Sequence, residues 1–293
     1  MLSFLPPPLK GILSFLIYFT NTIVLTVPLI LISLFKFVLP FHPVKVILDR
    51  MLMAIAGLWI RINSLTTDLF CHIDWDIRGL SQLSPNEWYL VLSNHQSWVD
   101  ILVLQKTLHN KIPMLKFFLK KELIWVPFLG LAWWALDFPF MKRYSKEFLA
   151  KYPHLRGRDL ESTKKACEKF SYIPVSIMNF VEGTRYTPRK AQDSSFAHLL
   201  TPKAGGIAFV LGAMGKHVNK IIDVTIVYPG RTPSFWTFIS GRVKEIIVDF
   251  QVLEVDWQLQ GDYFNDPDFR DRFCRWLNRL WQEKDQKIKQ MLS

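Results

Sequence analysis

A histidine and a carboxylate lie five residues apart in the segment Asn94-His-Gln-Ser-Trp-Val-Asp100. The segment directly follows an apolar run, residues 88–92, that is typical of a buried strand. A histidine held by a carboxylate can take a proton from a hydroxyl group. The sequence offers no obvious nucleophilic serine to pair with this histidine, so the hydroxyl would belong to a substrate. The segment therefore predicts acyl or group transfer to a substrate hydroxyl.

The spacing of this pair decides where in a fold it can work. Side chains five residues apart on a straight helix point roughly 140° away from each other, so His95 and Asp100 cannot meet on one helical face. They can meet if His95 lies on the turn after the strand and Asp100 in the first turn of a helix that begins near Trp98. Ser97, three residues before Asp100, is typical of a capping-box helix start. A purely structural turn, with Asp100 as a cap, fits the same pattern.

A second segment, Phe180-Val-Glu-Gly-Thr-Arg185, also ends a predicted strand. Gly183 permits a tight turn that brings the backbone close to a ligand. Arg185 offers a planar, permanently charged group that suits phosphate. Alone, the segment fits an ordinary strand-to-loop turn with a surface ion pair equally well.

Together the two segments resemble the motifs of the 1-acyl-glycerol-3-phosphate (lysophosphatidate) acyltransferase family. His95-Gln-Ser-Trp-Val-Asp100 is followed, about eighty residues later, by Glu182-Gly-Thr-Arg185, and the likeness covers most of the chain after residue 70. The stretch Trp125-Val-Pro-Phe-Leu-Gly-Leu-Ala-Trp-Trp-Ala-Leu-Asp137, which leads into Phe138-Pro-Phe-Met-Lys-Arg143, is more similar to a bacterial membrane-bound subgroup. That subgroup is akin to lysocardiolipin and lysophosphoinositide acyltransferases.

The resemblance implies a role for each matched position. His95 would be the general base and Asp100 its orienting partner. The acceptor and its phosphate would be bound by Arg143, Glu182, Gly183, Thr184 and Arg185. Pro229 ends the stretch that matches the fourth motif, and Thr225 stands where the family often has proline. The implied reaction moves a fatty acyl group from acyl-coenzyme A or acyl carrier protein to a glycerol hydroxyl, with no cofactor and no metal.

The segment between the acceptor motif and Lys203 is predicted to be a mobile loop that could close over the substrate. Lys203, with Gly205, could add charge and backbone contacts at the phosphate site. Trp125, Trp133 and Trp134 could line an acyl-chain groove or belong to the core.

Composition favours a membrane partner. Half of the 293 residues are hydrophobic, 14% are aromatic, and the formal net charge is +11, so the chain is more apolar than an ordinary soluble protein. No nucleic-acid-binding motif accompanies the basic residues. An anionic membrane surface is therefore favoured over a nucleic acid. The three cysteines lie far apart without metal-ligand spacing, which indicates free thiols.

Residues 11–35 carry no charge and are dominated by Leu, Ile, Val and Phe. The run exceeds the roughly 20 residues that cross a bilayer as a helix. A cleaved signal peptide is the alternative, but the run is too long and no small-residue cleavage site follows. We expect a retained anchor.

A second apolar stretch, residues 51–60, is too short to span and predicts a helix in the interface or one that returns into one leaflet. The two stretches could form a spanning helix with an interfacial one, or a hairpin dipping into one leaflet. Basic residues follow the first stretch at Lys36, Lys45, Arg50 and Arg61. This favours a domain on the cytoplasmic side, which the resemblance places at a bacterial inner membrane.

From about residue 73 the chain alternates strand-like and helix-like blocks, as in an α/β domain with a mostly parallel sheet flanked by helices. Predicted strands cover residues 73–77, 88–92, 175–181, 224–227 and 243–252. Predicted helices cover residues 99–108, 115–123, 146–149, 159–170 and 205–214. Residues 268–292 predict an amphipathic helix docked on the domain, with a membrane tether as the alternative. We expect membrane-anchoring helices at residues 1–65 and a glycerolipid-acyltransferase-like catalytic domain at residues 66–293.

These features favour an acyltransferase that acts on the free hydroxyl of 1-acyl-glycerol-3-phosphate, with a phospholipid membrane and the acyl donor as partners. The alternatives are the same reaction on another lysophospholipid, such as lysocardiolipin or lysophosphatidylglycerol, and a membrane lipid-binding protein without turnover. A membrane-associated nucleic-acid binder is the remaining alternative.

Overall fold

A computed structural model of the protein describes residues 2, 4–39, 41–81, 83–141, 170, 173–215 and 217–293. Its strands are β1 (Asp74–Arg78), β2 (Trp88–Ser93), β3 (Leu115–Phe117), β4 (Leu119–Lys120), β5 (Phe140–Met141), β6 (Ser176–Phe180), β7 (Val218–Val227) and β8 (Glu245–Glu254). Its α-helices are α1 (Pro7–Val38), α2 (His42–Phe70), α3 (Val99–Leu108), α4 (Leu129–Ala135), α5 (Pro188–Ala191), α6 (Ala204–Met214), α7 (Phe235–Ile239) and α8 (Pro267–Leu292). Short 3-10 helices lie at Lys121–Trp125 and Trp257–Leu259.

Six strands form one mixed sheet in the order β1-β8-β7-β2-β6-β3. Strands β7, β2, β6 and β3 are parallel neighbours, β8 is antiparallel to β7, and β1 is parallel to β8. The predicted α/β domain with a mostly parallel sheet is confirmed. Because β6, β2 and β7 are adjacent and parallel, the loops that follow them meet at one edge, where α/β proteins bind ligands.

Both faces of the sheet are covered, so its central strands can be apolar along their whole length. In β2, Tyr89 and Val91 face one side while Leu90 and Leu92 face the other, and all four are fully buried. Helices α1 to α4 and α7 pack on the first side, and α6 and α8 on the second. Burying one such side chain contributes about 1.5–3 kcal/mol.

The predicted strands are present, although β7 begins at Val218 rather than at residue 224. The helix at 99–108 and the helix at 205–214 are confirmed as α3 and α6. The helix predicted at residues 115–123 is wrong, because Leu115–Phe117 pairs in parallel with β6 and is buried throughout. The predicted helices at 146–149 and 159–170 lie outside the described residues, apart from Phe170.

The second N-terminal helix is longer than expected. The apolar stretch at residues 51–60 is only part of α2, which has 29 residues. Beyond that stretch, the amide of Asn63 accepts a hydrogen bond from Asn21 of α1 at 2.8 Å, and Thr67 shares one with Tyr18 at 2.8 Å. Because these polar groups find partners on α1, the helix continues. The division of the chain near residue 65 stays a prediction.

The polarity of α1 is inverted relative to a helix of a soluble protein. Its buried residues are mostly polar or small: Lys10, Gly11, Ser14, Tyr18, Asn21, Thr26, Leu29 and Ser33. Its exposed residues include large apolar ones: Ile12, Phe15, Leu16, Phe19, Val24, Val27, Leu31, Leu34 and Phe35. Among the described residues, α1 alone is long and apolar enough to cross a membrane. An exposed apolar face of this size is typical of a surface that contacts lipid.

Helix α1 is fixed to the globular part of the protein at both ends. Near its start, Gly11 packs so closely on Trp236 of α7 that a Cβ there would lie 2.7 Å from the indole ring. Near its end, the Lys36 ammonium lies 2.6 Å from Asp49 of α2 and 2.5 Å from Asp137, which follows α4. One face of the helix is thus used for packing, and the opposite face is left for lipid.

Helix α8 docks on the sheet, as predicted, through Phe273, Leu277 and Trp281, all at most 1% exposed. Its Lys284 is also buried and pairs with Asp223 of β7 at 2.9 Å. The same ammonium donates to the carbonyl oxygen of Val224 at 2.6 Å. Burial lowers the pKa of Lys284, so the ion pair has to offset the cost of removing the charge from water.

We expect the substitution Lys284→Met to lower the free energy of unfolding by about 3–5 kcal/mol, because it leaves the Asp223 charge buried without its cation. Combining it with Asp223→Asn should recover much of the loss. Lys287→Met is the matched control, since Lys287 pairs with Asp249 at a partly exposed position and such a pair contributes about 1 kcal/mol or less. Chemical unfolding in detergent compares these three variants with the unaltered protein. Equal losses of unfolding free energy in Lys284→Met and Lys287→Met would contradict the larger contribution of the buried pair.

Candidate active site

His95 and Asp100 meet at the junction of β2 and α3. His95 lies on the turn that follows β2, and Asp100 is in the first turn of α3, so the strand–turn–helix arrangement expected from their spacing is present. The Nδ1 atom of His95 lies 2.8 Å from Oδ2 of Asp100. The aspartate side chain is 1% exposed, and the histidine side chain is 13% exposed. The pair therefore combines a buried acid with a histidine that solvent can still reach.

The Asp100 carboxylate accepts hydrogen bonds on both oxygens. Oδ2 accepts from the backbone N–H groups of Gln96 and Ser97 at 2.6 and 2.9 Å, in addition to His95. Oδ1 accepts from the hydroxyl of Tyr228 at 2.6 Å. The amino end of α3 adds a favourable dipole for a negative charge. The Asp100 carboxylate can accept a hydrogen bond from the Nδ1–H group of His95, which leaves the lone pair on Nε2 free to act as a base.

The ring of His95 is held from a second side by Phe180, the last residue of β6. The two rings are stacked, with centroids 3.8 Å apart and planes 13° apart. The carbonyl oxygen of His95 also accepts a hydrogen bond from Tyr186 N–H at 2.7 Å. The loops after β2 and β6 are therefore tied together around this histidine.

Glu182 is buried directly behind the histidine, at 1% exposure. Its carboxyl accepts hydrogen bonds from the backbone N–H groups of His95 at 3.4 Å and Leu200 at 3.2 Å. Burial raises the pKa of the Glu182 carboxyl to about 8, and the two N–H donors oppose that shift. Glu182 thus joins two loops through their backbones, which suits a positioning role better than direct contact with an acceptor.

Three cationic side chains surround the turn at Gly183–Arg185. Gly183 has φ +69°, and a Cβ there would lie 3.2 Å from the Nζ of Lys203. Arg185 is exposed, and its guanidinium lies 4.9 Å from the ring centroid of Trp98. Lys190 donates to the Thr184 hydroxyl at 2.6 Å. Lys203 also precedes the first turn of α6, so the helix dipole adds positive potential for a phosphate group.

Comparison with known proteins identifies the family. The sequence profile described as "Acyltransferase" matches residues 74–229, which is more than half of the chain and contains the whole of this loop cluster. The protein belongs to this acyltransferase family.

The relatives of this protein include named lysophosphatidate enzymes. It is 24% identical over 224 residues to the 1-acyl-sn-glycerol-3-phosphate acyltransferase epsilon of Mus musculus, covering 67% of this chain and 56% of the relative. It is 26% identical over 233 residues to the delta protein of Bos taurus, covering 73% and 56%. The chain thus spans a little over half the length of these curated relatives.

The fold of the protein also matches a solved structure. The 1-acyl-sn-glycerophosphate (LPA) acyltransferase PlsC from Thermotoga maritima superimposes with a TM-score of 0.52 at 14% identity, over 97% of this chain and 98% of that one. The glycerolipid-acyltransferase-like fold expected from the sequence is therefore confirmed. The finer likeness to a bacterial subgroup stays a prediction.

The sequence-predicted residues that the structure describes lie together at the carboxyl edge of β2 and β6. Those of the first motif in the sequence are His95 and Asp100, and those of the second are Glu182 to Arg185, with Lys203 beside them. Arg143 lies outside the described residues. A cavity of about 450 Å³ lies at the opposite, amino end of the strands, between α2 and residues 108–115, and is not part of this site.

Three residues of the site escaped the sequence analysis. In the sequence, Tyr228 is marked only by its position beside Pro229. Its contact with Asp100 depends on β7 being next to β2. Asn94 hydrogen-bonds through its side-chain amide to both backbone groups of Ile226, at 2.9 Å each. For Lys190, the sequence indicates only a positive charge. The contacts of Tyr228 and Asn94 join segments whose proximity follows from the strand order, whereas Lys190 contacts Thr184, only six residues earlier in the chain.

Tyr228→Phe should lower kcat about tenfold while KM changes by less than about twofold, because a hydrogen bond to a charged group contributes about 1.5–3 kcal/mol. Burial raises the pKa of the Tyr228 hydroxyl well above its usual value, and the Asp100 charge adds to this, so the hydroxyl remains a donor at neutral pH. Steady-state kinetics on detergent-purified protein give both constants.

The matched control is Tyr89→Phe, which removes a hydroxyl from the amino end of β2, where it pairs with Glu87 at 3.0 Å. Its kinetics should match those of the unaltered protein. A Tyr228→Phe protein with unchanged kcat, or with losses seen only in its melting temperature, would show that the Tyr228 hydroxyl does not position the pair.

Glu182 should make stability depend on pH in a defined direction. Its pKa of about 8 in the folded protein exceeds that of an unfolded glutamate, about 4.3. The folded state therefore holds a proton that the unfolded state releases, and the associated stability is present below about pH 4.3 and lost as the pH rises towards 8. Glu182→Gln should flatten the fall in unfolding free energy between about pH 5 and pH 8 by up to about 1.4 kcal/mol per pH unit.

Chemical unfolding at several pH values measures this slope. Glu87→Gln serves as the control, because Lys220 and Tyr89 lower the pKa of Glu87 and its titration falls below that interval. An equally steep slope in Glu182→Gln and in the unaltered protein would rule out a protonated Glu182 in the folded state.

Proposed function

We propose that the protein transfers a fatty acyl group from a thioester to the free hydroxyl of 1-acyl-glycerol-3-phosphate, which gives phosphatidate. The hydrogen-bonded pair of His95 and Asp100, beside a cationic turn on the same sheet edge, carries this proposal. Membership of the acyltransferase family and relatives named as 1-acyl-sn-glycerol-3-phosphate acyltransferases support it.

The chemistry needs one base and no covalent enzyme intermediate. Nε2 of His95 takes the proton of the acceptor hydroxyl as its oxygen attacks the thioester carbonyl carbon, and Asp100 stabilises the imidazolium that forms. Collapse of the tetrahedral intermediate breaks the carbon–sulfur bond, and the imidazolium returns its proton to the departing thiolate. A base of this kind typically supplies about 100- to 10,000-fold.

The cations at the turn suit the phosphate of the acceptor. Arg185 can bind it through two N–H groups, while Lys190 and Lys203 add point charges nearby. Trp98 stacks on the Arg185 guanidinium and limits the directions in which that group can point. Arg143, which the family resemblance implicates, is proposed as a further phosphate ligand. Glu182 keeps His95 and the Leu200 loop in register with this site.

The apolar outer face of α1 supports a location on a membrane. A lysophosphatidate can then keep its acyl chain in one leaflet while its headgroup reaches His95. Packing of α1 along the globular part favours a hairpin with α2 embedded in one leaflet over a free spanning helix. Basic residues after the apolar run favour the cytoplasmic side, and we propose the inner membrane of a bacterium, with acyl-coenzyme A or acyl carrier protein arriving from the aqueous side.

A thiol-release assay on the detergent-purified full chain tests the function. It offers palmitoyl-coenzyme A, or a palmitoyl acyl carrier protein, with lysophosphatidate, lysophosphatidylglycerol or lysocardiolipin. Release should be fastest with lysophosphatidate and should fall at least about 100-fold in His95→Ala, since the general base is lost. Asp100→Asn should also lose most activity, because it disturbs the orientation of the histidine.

His72→Ala is the matched control, because His72 is exposed and precedes β1, which is separated from β2 by β8 and β7 in the sheet. Its activity should equal that of the unaltered protein. No release above the His95→Ala background, with any acceptor and either donor, would refute the enzymatic proposal. Fastest release with lysophosphatidylglycerol or lysocardiolipin would refute lysophosphatidate as the main acceptor.

A further inference from the structure

A row of apolar side chains lies on the outside of the segment that runs from the 3-10 helix into α4. Its members, spaced three residues apart, are Trp125, Phe128, Leu131 and Trp134, with exposed fractions of 85%, 39%, 47% and 42%. The opposite side of α4 is packed in the core through Ala132 and Ala135. The segment is therefore amphipathic. We call these four residues the tryptophan row.

The tryptophan row continues the exposed face of α1. The ring of Phe128 meets the ring of Phe19 edge-on, with centroids 6.5 Å apart, and Phe19 in turn stacks on Phe15 at 6.0 Å. Phe128 has φ +61°, a backbone conformation that is uncommon for an aromatic residue. Both α1 phenylalanines are themselves about half exposed, so one apolar surface extends from α1 onto α4.

A further contact ties α4 to α1, and another ties the 3-10 helix to α4. Lys36 of α1 pairs with Asp137 at the end of α4 and with Asp49 of α2. Gly130 lies against the 3-10 helix so closely that a Cβ would be 2.0 Å from the carbonyl oxygen of Ile124. A lipid layer that contacts α1 would therefore also meet the tryptophan row, because the two cannot move apart without breaking these contacts.

Charge beside the tryptophan row indicates which apolar partner it meets. Lys120 and Lys121, five and four residues before Trp125, are exposed. Lysines next to tryptophans are typical of a protein segment at the membrane interface, where the rings lie at headgroup level and each lysine contributes about 1 kcal/mol towards anionic lipid. A dry interface with a second protein would more commonly exclude lysine.

We propose that the tryptophan row is a second membrane-contacting element, which inserts into the same leaflet as α1 and contacts anionic lipid. It also connects to the catalytic histidine. Phe138, just after α4, stacks on Phe117 at 6.4 Å, Phe117 stacks on Phe180 at 6.1 Å, and Phe180 stacks on His95. The depth of the tryptophan row in the leaflet thus sets the height of His95 above it. The acceptor hydroxyl has to lie at the same height.

Fluorescent labelling tests the depth directly and without turnover. A chain with its three cysteines replaced by serine receives one new cysteine, Trp125→Cys or, as the control, Phe264→Cys, and each is labelled with an NBD probe. Phe264 is similarly apolar and 44% exposed but precedes α8 on the other side of the sheet. The labelled proteins are reconstituted into vesicles of phosphatidylethanolamine and phosphatidylglycerol.

The probe at 125 should be quenched by a doxyl-labelled lipid and shielded from aqueous iodide, and the probe at 264 should behave in the opposite way. Iodide access at 125 without lipid quenching would overturn the proposal. Shielding from both quenchers would also overturn it, because it would place a second protein surface over the row.

Trp125→Glu gives an independent functional measure. The ratio of activity on vesicle-embedded lysophosphatidate to activity in detergent should fall at least about threefold, since a carboxylate at headgroup depth of an anionic leaflet is unfavourable. Phe264→Glu should leave the ratio unchanged. An unchanged ratio in Trp125→Glu would contradict insertion of the tryptophan row into the leaflet. Failure of the proposed acyl transfer would abolish activity in detergent as well, whereas the labelling result does not depend on catalysis.

Discussion

The carboxylate of Asp100 is the group on which the rest of the site depends. It is removed from water, so it has to be neutralised and hydrogen-bonded from within the protein. Its donors come from two places: the turn after β2, which supplies His95, Gln96 and Ser97, and the end of β7, which Tyr228 follows. These elements must be in place together for the charge to be tolerated. The same arrangement fixes the tautomer of His95, so the requirement for stability and the requirement for proton transfer coincide.

A second constraint applies to the α1–α2 pair, in which polar residues lie inside and apolar residues lie outside. In the α1–α2 pair, polar side chains such as Asn21, Asn63 and Tyr18 face inward and hydrogen-bond between the two helices, while phenylalanines and aliphatic residues face outward. In water this arrangement would be unfavourable, because it leaves apolar surface exposed. Beside a leaflet the outward face is favourable, and the inward hydrogen bonds fix how the two helices pack. The catalytic edge and the lipid-facing surface are therefore joined by a rigid scaffold.

Much of this could be predicted from local sequence. Alternation of apolar runs with turns indicated the α/β domain, and the spacing of His95 and Asp100 indicated a strand–turn–helix junction because no helix could bring them together. Local pattern failed at residues 115–123, where pairing with β6 outweighs a helix-like arrangement of apolar residues. It also failed for the length of α2, whose polar end is stabilised only by partners on α1. Tyr228 could not be assigned a role, because strand order across the sheet is a non-local property.

The hydrogen bond between Tyr228 and Asp100 joins residues 128 positions apart, and this separation has a consequence for biosynthesis. Helices α1 and α2 emerge from the ribosome well before Tyr228, the last donor to Asp100, and Lys284 of α8, which pairs with Asp223 of β7, follows later still. Domains form as their segments become available. The nascent chain can therefore settle on a bilayer before its proton-transfer pair is assembled, so enzymatic competence would be acquired at the surface where it is used.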